Sequence, residues 1–171
     1  MRKLLQTSND AALTALRLVL GGVFFAHGAQ KLLGWFGGQG FTATMEGFTG
    51  FLHIPAPLAF LAIVAEFFGG LALIAGGFGR VAAAGIAVTM IVAAAMVHAR
   101  FGFFMNWSGA QKGEGFEYHL LVVAAAAVVM LRGSGALSLD RLFSRPEPLP
   151  SVVFALEAEP QRRAPRSAPA R

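Results

Sequence analysis

The chain has no cysteine. It can therefore form no disulfide, hold no iron–sulfur cluster through thiolates and run no thiol-redox cycle of its own. Charge is scarce as well, with 13% of residues Asp, Glu, Lys or Arg. Against these shortages, 56% of the residues are hydrophobic and the mean hydropathy is +0.61. A soluble domain of 171 residues cannot bury that much apolar side chain. The lipid bilayer is the expected solvent and the first expected partner. The net charge of +5 then reads as a topology signal and not as a nucleic-acid-binding surface.

Four stretches reach spanning length, at 11–34, 57–78, 80–101 and 115–132. At 1.5 Å of rise per residue each crosses most or all of about 30 Å of hydrocarbon. The expected fold is all-α: an integral-membrane four-helix bundle within residues 1–144. The first stretch carries Arg17 and no small-residue cleavage site, so it is expected to remain as a span and not to be removed as a signal peptide. Runs of glycine and alanine, such as Gly69, Gly70, Gly76 and Gly77, favour close approach of helix backbones. Arg2, Lys3, Arg80, Arg132, Arg141 and Arg145 fall on one side of these spans, against Arg100, Lys112 and Lys31 on the other. That asymmetry predicts a multi-pass protein of the inner membrane with both termini in the cytoplasm.

In the first outer loop Phe41, Met45, Phe48 and Leu52 recur at helical spacing, which predicts a short interfacial helix. An irregular loop with scattered aromatics fits the same residues. Phe101, Phe103, Phe104, Trp107 and Phe116 crowd the second outer loop and mark the headgroup level. From residue 145 prolines alternate with Glu and Arg, which predicts a disordered cytoplasmic tail over 145–171.

Ionisable groups within spans are costly, so each calls for a partner or a role. Starting the first span at the inner face puts Arg17 roughly 8 Å in, His27 roughly 22 Å and Lys31 roughly 28 Å. Glu66, on the descending second span, falls about 13–14 Å below the outer face. The expected partner of Glu66 is therefore Arg17 or His27. Arg17, Glu66 and Lys31 are the candidate buried polar core, with Glu66, His27 and Lys31 the candidate catalytic groups. His98, Glu117 and His119 form a second candidate cluster at the outer rim, where plain solvated polarity is the competing explanation. No metal site is expected.

The run LRLVLGGVFFAHGAQKLLG, with Arg17, Gly21, Gly28 and Lys31, resembles the first helix of DoxX-family proteins. FLHIPAPLAFLAIVAEFFGGLALIAGGFGRVAA, with Glu66, the following glycines and Arg80, resembles the family's second helix. The resemblance extends over about residues 12–132. It implies a four-helix membrane protein, in some members linked to quinone-coupled oxidation of sulfur compounds and in others to oxidative-stress complexes. On that basis the chain is expected to be a quinone-linked redox or oxidative-stress subunit, served by a soluble or membrane oxidoreductase partner. A haem held by His27, His98 and His119 is the weaker cofactor reading, because histidine at a wet rim is ordinarily only polar. A non-catalytic scaffold, or a component of a small-solute or proton pathway, is the alternative.

Overall fold

In a computed structural model of the chain, residues 2–144 are described; the expected tail lies outside the described residues. All regular structure among them is helical. The elements are α1 (Arg2–Leu5), α2 (Ala11–Leu33), α3 (Gly40–Glu46), α4 (Ala56–Ala75), α5 (Gly79–Ala93), α6 (Glu117–Arg132) and α7 (Leu139–Phe143). α5 continues through a π turn and a 3-10 turn, so that the whole helical run is Gly79–Phe101.

Local chemistry sets these limits. Asp10 caps α2 by accepting from the Leu13 N–H at 3.1 Å, and Gly34 ends it in the left-handed conformation that glycine adopts without strain. Pro57 sits in the first turn of α4, where a missing N–H costs little, and Gly76 ends that helix in the same left-handed way. The turn from Gly76 to Gly79 makes α4 and α5 an antiparallel hairpin. α6 begins where the N–H groups of Gly115, Phe116 and Glu117 donate to the carbonyls of Phe104, Gly102 and Phe103. Those bonds satisfy amide groups that a helix start otherwise leaves unpaired.

α2, α4 and the run Gly79–Phe101 are long and apolar enough to cross a membrane. Their limits fall within a few residues of the expected spans. α6 has 16 residues, about 24 Å of helix and short of a full hydrocarbon thickness. The expectation of four spans of full length is thus met by three. The segment expected as an interfacial helix is helical: α3 passes directly into a π turn, Gly47–Phe51. Phe41 of α3 meets Phe60 of α4 edge-on at 6.3 Å.

α4 packs against α2 and α5, and α6 against α5 and α2. Phe24, Leu73, Ile86 and Val129 are buried in the shared core. The outward faces are apolar: Val19, Leu61, Val88 and Leu121 are all more than half exposed. A large apolar exterior is what a lipid solvent requires. α2 and α4 approach through glycine. A Cβ on Gly21 would lie 2.9 Å from the Gly70 carbonyl oxygen, and one on Gly28 would collide with the Phe67 backbone. These contacts also set the vertical register, with Gly28 level with Phe67 and Gly21 level with Ile74.

Candidate functional site

Glu66 lies on the inward face of α4 with Ile63, Gly70 and Leu73, all buried. The register just described places it level with the last turns of α2. Lys31 sits slightly nearer the C-terminal end of α2, and a helical side chain leans toward its helix's N-terminus, here back to the level of Glu66. Lys31 Nζ consequently reaches Glu66 Oε2 at 2.5 Å. The Glu66 side chain is 4% exposed and that of Lys31 26%. The expectation that Glu66 pairs with Arg17 or His27 is overturned. It assumed that α2 and α4 start flush, whereas the glycine contacts shift α4 toward the C-terminal end of α2. His27 points outward beside Phe24 and is exposed.

Lys31 also lines a groove of about 310 Å³, with Gln30 and Gln39 as polar neighbours and Thr44 and Phe48 contributed by the helical loop above. The carboxylate is sealed inside while the ammonium has one side open to this groove. Tyr118 of α6, half-buried, lies within Coulombic reach of Glu66. It is the chain's one tyrosine, and nothing in the spacing of α6 marks it as a neighbour of the pair. Its ring is 5.8 Å from that of His119, whose ring is 4.2 Å from His98. His98 Nδ1 lies 2.8 Å from the Glu114 carbonyl oxygen, and His119, 6% exposed, has an Nδ1 with no hydrogen-bond partner among the described residues. Glu117 turns aside and accepts from Trp107 Nε1 at 3.1 Å. Two axial imidazoles on one iron stand on opposite sides of it, whereas the His98 and His119 rings touch and His27 faces away. His27, His98 and His119 therefore do not converge as ligands of one iron.

Arg17 is buried at the other end of the helices, 1% exposed. Its Nε donates to the Ser134 carbonyl at 2.7 Å and its Nη2 to that of Leu137 at 2.5 Å. Nη1 donates to the Leu73 and Ile74 carbonyls, the second at 2.8 Å. The last carbonyls of a helix lack partners and carry the negative end of its dipole, so a guanidinium is well placed there. Asp140, 2% exposed, completes the latch: it accepts from the Phe78 N–H at 2.7 Å, the Gly79 N–H at 3.0 Å and Ser134 Oγ at 2.6 Å. Arg80 repeats the device, donating to the Met130 and Leu131 carbonyls at the end of α6 and to the Gln6 carbonyl. The structure thus brings Lys31 and Glu66 together, and separately His98 and His119. It removes Arg17 and His27 from the Glu66 neighbourhood.

An apolar exterior around a sparse polar interior, with three helices of spanning length, defines a polytopic α-helical membrane protein. Residues 12–99 match the DoxX family, and the chain belongs to it. No curated protein and no solved structure matches the chain.

Proposed function

We propose that this chain is a quinone-linked redox subunit, of the inner membrane, whose working site is the Lys31–Glu66 pair at the foot of the groove. Four helices cross the bilayer in this reading. α6 serves as the short fourth span, because it exposes Leu121 and Leu131 outward and because the bilayer thins locally around a short helix at modest cost. Both termini are cytoplasmic, residues 1–144 form one domain, and α3 lies in the outer interface. The observation that carries the redox reading is a buried carboxylate joined to a cation that a ligand can reach.

The groove suits a flat aromatic head with two carbonyl oxygens, since it offers Phe48 as an apolar wall and Gln30, Gln39 and Lys31 as donors. A bound quinone would supply two-electron, two-proton chemistry. Lys31 orients the head by donating to one oxygen. On reduction Lys31 would give a proton to the quinone oxygen it holds, and Glu66, paired with Lys31 and shielded by its burial, would hold the proton that replaces it, drawn from water in the groove. With no thiol in the chain, electrons come from an oxidoreductase partner or a reduced small molecule. The test is purification in mild detergent, assay of co-extracted quinone, and titration with a short-chain quinone. Bound quinone in the wild type, with Glu66→Gln folded and binding but inactive, supports the reading. A preparation that neither carries nor binds quinone overturns it.

One observation favours a second reading, a proton pathway. Tyr118, His119 and His98 form a continuous row of polar rings between α6 and the third span. Proton flux across proteoliposomes, abolished by Glu66→Gln without added quinone, would select it.

A further inference from the structure

We propose that the loop between the third span and α6 binds the phosphate headgroup of an anionic phospholipid. A cavity of about 460 Å³ there is lined by Arg100, Lys112, Gln111, Phe101, Phe103 and Phe104. The run Gly79–Phe101 ends at this cavity, so it lies where acyl chains give way to headgroups. Arg100 holds its guanidinium 4.6 Å above the Phe101 ring centre. A guanidinium over an aromatic face keeps in-plane N–H donors free for a phosphate, and Lys112 adds a point charge on the same cavity.

The loop's carboxylates are withdrawn from it. Glu114 Oε2 accepts from the Asn106 N–H at 2.6 Å and Glu117 Oε1 from Trp107 Nε1 at 3.1 Å, and neither residue lines the cavity. Among the described residues the cavity therefore presents two cations and no facing acid. Phe103 and Phe104, 46% and 67% exposed, add apolar surface that a soluble anion has no use for and that the glycerol and first methylenes of a lipid can cover. Charge and shape together match an amphiphile with an anionic phosphodiester. This inference goes beyond the quinone reading and does not depend on it; it needs only that the third span end at Phe101.

Native mass spectrometry of the full chain in detergent, titrated with phosphatidylglycerol or phosphatidylcholine, tests it. At roughly 1 kcal/mol per cation, two cations predict a preference of about 30-fold for the anionic lipid in the first binding step. Arg100→Gln with Lys112→Gln should bring the two lipids near parity, and each single change should lower the ratio about fivefold, which keeps the test available if the double variant fails to fold. Arg132→Gln, at the opposite end of α6, should leave the ratio as in the wild type. Equal retention of both lipids by the wild type overturns the proposal, as does an undiminished preference in the double variant. Displacement by inorganic phosphate as effective as by the lipid also overturns it, since the site would then be one for a free anion.

Discussion

Removing either member of the Lys31–Glu66 pair strands the other in different surroundings. Lys31→Met leaves a carboxylate that is 4% exposed without its cation, and a stranded buried charge costs about 3–5 kcal/mol. Glu66→Gln keeps an oxygen to accept from Lys31, and the ammonium, 26% exposed, can turn toward water in the groove. That change should cost only about 1 kcal/mol. Thermal unfolding in detergent should rank Lys31→Met well below Glu66→Gln, and equal losses would contradict the burial difference. Which ionisable residues sit inside the helices was legible in the sequence, because hydropathy exposes a lone Glu or Arg in an apolar run. Which of them meet was not, because the partner of Glu66 depends on the relative height of two helices and on where Lys31 leans. Asp140 left no signal at all: one acid in a short segment after α6 looks like any solvated residue, and its role comes entirely from the turn that folds onto it. Asp140→Ala should cost about 1–3 kcal/mol, from two backbone N–H groups and the Ser134 hydroxyl left without an acceptor, read in the same unfolding assay.

At the scale of the helices, the glycines of α2 divide by what a side chain would meet. A Cβ on Gly28 collides with the Phe67 backbone, while one on Gly22 meets nothing within 4 Å. Gly28→Val should force α2 and α4 apart, lift Lys31 away from Glu66 and destabilise by several kcal/mol, on the order of an overpacked core. Gly22→Ala should be neutral or stabilise by up to about 1 kcal/mol through helix propensity. A thermal shift of the same sign for both would show that the α2–α4 contact is not as close as described. The abundance of small residues announced tight packing in the sequence, since glycine has few other uses inside a membrane helix. It did not say which glycines touch, because Gly21, Gly22 and Gly28 look alike until the partner helix is placed. The short length of α6 was hidden for a related reason: its apolar stretch starts at Gly115, but Gly115 and Phe116 are tied to the carbonyls of Gly102 and Phe104 before the helix begins.

For the whole molecule, the lack of cysteine makes single-cysteine labelling direct. Ser108→Cys, in the exposed loop before α6, should react with a membrane-impermeant maleimide added to intact cells. Ser144→Cys, just after α7, should react only after permeabilisation. Labelling of both positions from the same side would mean that α6 does not cross and would remove the fourth span from the proposed topology. The all-helical architecture was legible from hydropathy alone, since lipid leaves an unbroken apolar run little choice but a helix. The latch around Arg17 was not, since it joins positions far apart in the chain through backbone carbonyls, which sequence patterning does not mark. That latch has a consequence for biogenesis. Arg17 lies on α2, but its acceptors arrive in two instalments, Leu73 and Ile74 with α4 and Ser134 and Leu137 only after α6. A nascent chain stalled before α6 thus carries a guanidinium with half its acceptors missing, and only closure of the segment after α6 completes its set.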